Sequence, residues 1–124
     1  MAGTLKLNVD GCAKGNPGKG GYGGILRDHD ENWMGGFKGR LPFCSSLVAE
    51  LTSLKMGASF LVSCGYKGCI LETDSNNAIK LIVGNNCPNH ALKGLIEDCK
   101  FLVQRCNGNL GFKNSPPRRK FLYG

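Results

Sequence analysis

The chain has 124 residues, 41% of them hydrophobic, and its sixteen basic and nine acidic residues give a formal net charge of +7. This length and the absence of low-complexity tracts predict one globular domain. The apolar runs fall short of the ~20 residues of a membrane span, and no apolar core follows Met1–Thr4 as in a secretory signal. We therefore expect an intracellular protein, nuclear or cytoplasmic, with no membrane partner.

The first third of the chain is predicted to form an antiparallel meander of three strands. Residues 5–10 alternate apolar and polar side chains, as a half-buried strand does. A glycine-rich turn follows at 11–20, and the second strand is expected at 21–27. A polar turn at 28–32 then leads to a third strand at 33–39.

The segment Gly18–Gly23 matches the G-x-G-x-x-G pattern of a dinucleotide site. Such a site needs a strand before the pattern and a helix directly after it. Here Gly24–Arg27 alternates as a strand, so we interpret the glycines as allowing close approach to another backbone. No cofactor loop is expected at this position.

A long helix is predicted from 45 to 64. Ser45 or Ser46 can cap its N-terminus, and Gly65 ends it. Its apolar stripe has helical spacing and consists of Leu47, Leu51, Leu54, Ala58 and Leu61. Glu50 lies at the border of this packed stripe.

Four further elements are predicted, in the order strand, helix, helix and strand: 69–73, 75–83, 88–105 and 109–113. A helix joins the three-strand meander to the fourth strand. Strands one and four should therefore pair in parallel by a right-handed crossover. The predicted fold class is α/β, a mixed sheet of three antiparallel strands and then parallel strands, with helices packed on it. The domain is expected to span 1–113, and 114–124 to form a basic, disordered tail.

The seven cysteines contain no Cys-x-x-Cys pair, and His29 and His90 fall at no metal-ligand spacing. An odd number of cysteines without a secretory signal is typical of reduced thiols inside the cell. We therefore interpret most of them as core residues and do not expect a structural zinc ion.

Three carboxylates occupy positions from which they can converge. Asp10 ends the first strand, Glu50 lies on the first helix and Asp74 follows the fourth strand. Such a set can hold two cations that bind the attacking water and the leaving oxygen of a phosphodiester. The alternative is that the three are, respectively, a surface acid, an intrahelical partner and a helix cap. Glu72 lies on the same strand face as Asp74 and could serve in part as a fourth acid, but a structural or solvent-facing role is expected for it.

Several motifs support one family interpretation when they are taken in order. They are Asp10-Gly11 with Asn16-Pro17-Gly18, the strand end Ile25-Leu26-Arg27-Asp28, Ala49-Glu50-Leu51, and Glu72-Thr73-Asp74-Ser75. In order and spacing they resemble the type 1 ribonuclease H family, in its plant reverse-transcriptase-like branch. The resemblance covers about 5–83 well and 88–113 in outline.

The resemblance implies a ribonuclease H-like fold and endonucleolytic cleavage of the RNA strand in an RNA–DNA hybrid, with two Mg²⁺ or Mn²⁺ ions. It makes Asp10, Glu50 and Asp74 the catalytic residues and metal ligands. Four residues would face the RNA strand in the minor groove, where the 2′-hydroxyl distinguishes RNA from DNA: Gly11, Asn16, Ser45 and Ser46. Thr73 and Ser75 would contact phosphate, or would satisfy the backbone at a strand end.

The chain departs from this family at its end. The family adds a fourth carboxylate that opens a final helix, but no acidic residue follows Asp98, and Pro116-Pro117 excludes a helix through that point. We therefore expect the final helix to be missing, and turnover to fall or to demand more metal. The sheet face left bare predicts a protein partner or self-association.

The alternative function is a catalytically weak or inactive nucleic-acid-binding module derived from the same family. The net positive charge suits a polyanion. Arg118–Lys120, beside Phe121 and Tyr123, would add phosphate contacts and stacking, unless this end is simply solvated. Metal-dependent product formation separates the enzyme from the binding module.

Overall fold

The computed structural model describes residues 4–66, 68–84, 90–106, 109–112 and 122–123, the last two ranges by their backbone. The strands in this part are β1 Lys6–Ala13, β2 Gly18–Arg27, β3 Trp33–Cys44, β4 Ile70–Thr73, β5 Asn109–Phe112 and β6 Leu122–Tyr123. The helices are α1 Ser46–Cys64, α2 Asn76–Val83 and α3 Lys93–Arg105, the last preceded by a 3₁₀ turn at His90–Leu92.

All described strands join one sheet in the order β3-β2-β1-β4-β5-β6. The first three pair antiparallel, β1 pairs parallel with β4 and β4 with β5, and β6 returns antiparallel to β5. The predicted α/β class, the meander and the parallel pairing of the first and fourth strands are confirmed. The chain crosses through α1 because parallel neighbours need a long connection.

The predicted turn at 11–20 is wrong in extent. In the structure residues 14–17 connect β1 and β2, and Gly11 pairs with Tyr22 inside the ladder. Glycine serves here for close packing rather than for turning, which is a tertiary requirement that local composition does not show. Gly18–Gly23 lies inside β2, which confirms the interpretation against a dinucleotide loop.

Strand β3 also extends beyond its predicted end at 39, to Cys44. Pro42 lies where the pairing with β2 shifts register, between the partners of Lys19 and Gly20. Proline cannot donate to a ladder, but it is tolerated at a bulge and on an edge strand, and β3 is the edge of this sheet.

Helix α1 is the central helix of the core. Ser45 is its N-cap, with Oγ accepting from the Val48 N–H at 3.1 Å, and Gly65 ends it in the left-handed region at φ 77°. The predicted stripe is buried, apart from a half-buried Leu47. By length and composition α1 could cross a membrane, but it packs against the sheet and α3, as a core helix does.

Two glycines seat α1 on the sheet. A Cβ at Gly11 of β1 would collide with the Ala49 carbonyl oxygen, so only glycine allows the first turn of α1 this close. A Cβ at Gly57 of α1 would lie 2.7 Å from Val9 and 3.1 Å from Leu71. The helix is therefore held close to both β1 and β4.

The described helices share one core cluster and lie on one face of the sheet. On the opposite face, which we call the open face, β1 presents Lys6, Asn8, Asp10 and Cys12, which alternate with buried residues. No helix of the described part covers this face. Ile25 on this face is 40% exposed, and so are Trp33 and Phe43 at 70% and 71%, which the register with β2 places on the same side. The predicted protein partner or self-association stays a prediction.

The described residues after Arg105 form strands and no helix. Residues 113–121, with Pro116-Pro117 and the basic cluster, lie outside the described residues. Leu122–Tyr123 pairs with β5, so these two residues belong to the sheet and not to the predicted disordered tail. Leu122 is apolar and Tyr123 is aromatic, and such side chains are compatible with a strand at the edge of a sheet.

The cysteine side chains of the described residues differ in their burial. Cys69, Cys99 and Cys106 are buried, whereas Cys12 and Cys64 are exposed. Burial raises the pKa of the Cys69 thiol to about 11, with a further contribution from Cys106, and that of the Cys99 thiol to about 12. The prediction of core cysteines holds for the buried three.

At pH 8 we expect a thiol reagent to modify Cys12 and Cys64 quickly in the folded protein. Cys69 and Cys99 should react slowly, because a raised thiol pKa lowers the thiolate fraction and burial blocks access. Peptide mass spectrometry after timed quenching checks this. Equal rates for Cys64 and Cys99 in the folded state would contradict the described core.

The substitution Gly11→Ala should destabilise the fold by about 1–3 kcal/mol, because the new methyl group would force α1 away from β1. The matched control is Gly94→Ala in α3, where a Cβ would have no neighbour within 4 Å. That change should be neutral or slightly stabilising. Chemical denaturation measures both, and equal effects would show that Gly11 does not seat the helix.

Candidate functional site

The close approach at Gly11 brings two of the three predicted carboxylates to one corner. Asp10 precedes Gly11 on β1, and a Cβ at Gly11 would lie 3.0 Å from the backbone nitrogen of Glu50. Glu50 is half-buried in the first turns of α1, and Asp10 is exposed on the open face at the same end of the strand. The close packing therefore brings the backbones of Asp10 and Glu50 together, although the Asp10 side chain lies on the open face and α1 packs on the other face.

A hydrogen bond ties the third element to this corner. The Ser75 hydroxyl donates to Oε1 of Glu50 at 2.6 Å, and the Ser75 Oγ in turn accepts from the Ala78 N–H at 3.1 Å. Ser75 is thus the N-cap of α2 and a partner of Glu50 at once. It places the start of α2, and with it the neighbouring Asp74, next to the first turns of α1.

The strand register puts Asp74 at the same edge as Asp10. The parallel ladder pairs Asn8 with Glu72, and each aspartate lies two residues further along its own chain. Asp74 is exposed, and Ser75 rather than Asp74 caps α2. The alternative role of Asp74 as a helix cap is therefore wrong, because the serine hydroxyl already accepts the N–H bond.

The three carboxylates share this corner but do not close around one point. No three His, Cys, Asp or Glu side chains of the described residues meet as a formed metal site. Like charges repel unless cations lie between them. Asp10 and Asp74 are exposed and make no hydrogen bond or ion pair with the described residues, so no such contact fixes either carboxylate. An all-oxygen, all-carboxylate donor set is one that Mg²⁺ or Mn²⁺ prefers, and in that sense the residues fit such an ion.

Glu72 has a structural role. It is 8% exposed on the open face, accepts from Nδ2 of Asn8 at 2.8 Å, and has Nζ of Lys6 at 3.8 Å. These partners compensate its burial. The expectation that Glu72 is structural agrees with these contacts, which hold it beside Asp10 along the wall of a cavity of about 640 Å³.

The four residues expected to face RNA are held around the start of α1. Oδ1 of Asn16 accepts from the Ser46 N–H at 2.8 Å, which satisfies a free donor at the helix start. The side-chain NH₂ of Asn16 makes no hydrogen bond within the described part, whereas its backbone N–H donates to the Ala13 carbonyl oxygen at 3.2 Å. Ser45 uses its hydroxyl as the cap, and Gly11 is buried under α1, so its role is packing rather than an open contact.

For Thr73 and Ser75 the sequence leaves two roles open, phosphate contact or local backbone satisfaction. Both are buried, at 1% and 7% exposed. Oγ1 of Thr73 accepts from the Ser75 N–H at 3.1 Å, and the Ser75 hydroxyl is engaged by Glu50 and Ala78. These contacts and the burial of both side chains support the local role.

Two hydrogen bonds at the candidate site are absent from the sequence interpretation, the one from Ser75 to Glu50 and the one from Ser46 to Asn16. Each spans at least 25 residues of chain. A capping serine directly after Asp74 is a visible signal for the helix start, but nothing local indicates its second partner.

Comparison with known proteins identifies the family of this chain. The family model described as reverse transcriptase-like matches residues 8–116. A protein of Arabidopsis thaliana whose name assigns it to ribonuclease H is 33% identical over 103 residues, which is 83% of this chain and 17% of the relative. The chain thus spans about a sixth of the length of that relative.

Solved ribonuclease H structures share the fold. The N-terminal domain of a Mycobacterium tuberculosis protein superposes with a TM-score of 0.79 at 22% identity, covering 91% of this chain and 87% of that one. Ribonuclease H1 of Halobacterium salinarum gives 0.80 at 19%, covering 92% and 86%. A compost metagenomic enzyme, LC11, in complex with RNA/DNA hybrid gives 0.79 at 19%, covering 88% and 84%. This chain has the ribonuclease H-like fold and belongs to the plant reverse-transcriptase-like family.

Proposed function

We propose that the chain is a metal-dependent ribonuclease that hydrolyses the RNA strand of an RNA–DNA hybrid from within. The observation that carries this proposal is that β1, α1 and the end of β4 bring Asp10, Glu50 and Asp74 to one corner of the sheet. Gly11 and the Ser75–Glu50 hydrogen bond hold the three elements there. The family and the fold support the same activity.

Asp10, Glu50 and Asp74 would hold two Mg²⁺ or Mn²⁺ ions. Bound there, the ions would activate the attacking water and stabilise the leaving oxygen of the phosphodiester. The exposed Asp10 and Asp74 can turn toward the substrate, whereas Glu50 is oriented by Ser75. The fixed acid would set the position of the site and the mobile acids would complete it.

Recognition of the hybrid would fall to the start of α1. The side-chain NH₂ of Asn16 can donate to a 2′-hydroxyl, which DNA lacks, and the hydroxyl of Ser46 can donate to it or accept from it. The LC11 relative is known in complex with an RNA/DNA hybrid, which supports this substrate class.

One feature of the sequence supports the alternative function, a binding module without turnover. No acidic residue follows Asp98, so the fourth carboxylate that the resemblance implied is absent from these 124 residues. Hybrid binding without cleavage in either metal ion would select this alternative.

We further propose an intracellular location, in the nucleus or cytoplasm. The six cysteines of the described part are free thiols, three of them buried, and a reducing compartment preserves such a set. Fractionation of cells that express the tagged protein tests this proposal.

Asp10→Asn should lower hybrid cleavage by more than about 100-fold, since cation stabilisation is worth several kcal/mol and each 1.4 kcal/mol is tenfold. The matched control is Glu97→Gln, which removes one exposed negative charge from α3, away from the corner. The assay follows a hybrid labelled on the RNA strand in Mg²⁺ and then in Mn²⁺. Cleavage that survives Asp10→Asn, or that falls equally in both variants, would contradict the proposed site.

Ser75→Ala and Ser45→Ala each remove one N-cap and should each cost about 1 kcal/mol of stability. Only Ser75→Ala also releases Glu50, so only that variant should lose part of the thermal stabilisation given by Mn²⁺. Melting curves with and without Mn²⁺ measure the difference. An equal response of the two variants would mean that the Ser75–Glu50 bond does not orient a metal ligand.

A further inference from the structure

The open face carries a basic strip at its outer edge. Strand register places Lys19, Lys38, Arg40 and Phe43 together on β2 and β3, and all four are exposed. We call these four residues the basic ribbon. Arg40 pairs with Gly21, which pairs with Cys12 of β1, and Lys38 is joined in the same way to Asp10 through Gly23. Cross-strand partners share a face, so the ribbon and Asp10 lie on the same side.

A groove without side chains separates the ribbon from β1. Gly21 and Gly23 are the residues of β2 that face this side between Asp10 or Cys12 and the ribbon. Adjacent strands lie about 4.8 Å apart, so the floor between β1 and β3 is roughly 10 Å wide. A chain of phosphates lying on this floor would have basic side chains along one wall and Asp10 in the other.

The charged residues along β2 and β3 are all basic. No Asp or Glu occurs in 11–27 or in 33–49, while both stretches carry lysine and arginine. The acids of the hairpin are confined to its turn, where Asp28 accepts from the N–H groups of Asp30 and Asn32 at 2.9 Å, and these bonds lower its pKa. The ribbon itself is therefore uncompensated and suits a polyanion.

Two large aromatic rings stand exposed at the ends of β3. Phe43 is 71% exposed within the ribbon, and Trp33 is 70% exposed at the far end. Phe43 lies ten positions after Trp33 along the strand, which corresponds to roughly 30 Å. An exposed ring beside basic side chains is the usual platform on which unpaired bases stack.

We propose that the basic ribbon binds single-stranded nucleic acid, with the phosphate chain in the groove over Gly21 and Gly23 and a base stacked on Phe43. Paired bases could not reach that ring, whereas a single strand presents them freely. A second copy of this chain fits less well, because two positive ribbons would repel. The ribbon would lead an unpaired strand toward Asp10, and this last point alone rests on the proposed function.

The test is binding of fluorescein-labelled single-stranded RNA and DNA of about twelve nucleotides by the whole chain, followed by anisotropy at several salt concentrations. The ribbon variant is Lys38→Gln with Arg40→Gln. Its salt dependence, log K against log salt, should flatten by about 1.4, or about 0.7 for each phosphate that is no longer neutralised. The matched control, Lys80→Gln with Lys93→Gln, removes two exposed charges from the helical side and should leave the slope unchanged.

Two further variants separate stacking from charge. Phe43→Ala should weaken binding roughly tenfold with little change in salt slope. Gly21→Val fills the groove, where the nearest atom to a new Cβ would be the Gly39 carbonyl oxygen at 3.4 Å, so the fold should tolerate it while binding falls. Melting curves exclude unfolding. Trp33, the single tryptophan of the chain, reports independently whether the bound strand reaches the far end.

RNA and DNA strands should bind alike, because neither phosphate contact nor stacking reads the sugar. The inference is overturned when the ribbon and control variants bind single strands equally, or when only duplex hybrid binding responds to the ribbon. A wild-type chain that cleaves blunt hybrid but ignores single strands would refute the ribbon and leave the proposed function standing. A wild-type chain that binds single strands through the ribbon without cleaving hybrid would support the ribbon and refute the proposed function.

Discussion

The contact between Gly11 of β1 and the first turns of α1 is the constraint on which the site depends. A side chain at this position would push the helix from the sheet, and Asp10 and Glu50 would no longer share a corner. Gly57 repeats the device further along α1, against Val9 and Leu71. Because neither glycine has a side chain, α1 can pack close to the sheet, and this close packing determines where Asp10 and Glu50 lie. The core and the candidate site are parts of one arrangement.

The third acid is placed by polar contacts rather than by packing. Ser75 caps α2 and donates to Glu50, and Thr73 accepts from the Ser75 N–H below it. These buried hydroxyls satisfy the strand end and the helix start, so Asp74 is not needed as a cap and stays exposed. Glu72 likewise accepts a hydrogen bond from Asn8 and pairs with Lys6. The acids that serve structure and those free for chemistry are therefore distinct.

Much of the fold follows from periodicity and order. Alternation predicts β1, helical spacing predicts the buried stripe of α1, and the crossover rule predicts the parallel pairing of β1 with β4. The turn at 11–20 and the end of β3 are not predicted correctly, because glycine and proline act there through sheet position and close packing. The three acids are visible as sequence motifs, whereas the link from Ser75 to Glu50 joins distant segments and carries no local pattern.

The most direct test of the central claim is paramagnetic broadening of backbone amide signals by Mn²⁺. Substoichiometric Mn²⁺ should broaden residues 10–12, 49–51 and 73–75 before any others, because Asp10, Glu50 and Asp74 would hold the ion together. The acidic turn at 28–32 and the exposed Glu97 of α3 should respond later and weakly. Broadening that begins at that turn or on α3, or that spreads evenly over all exposed acids, would contradict a shared metal corner.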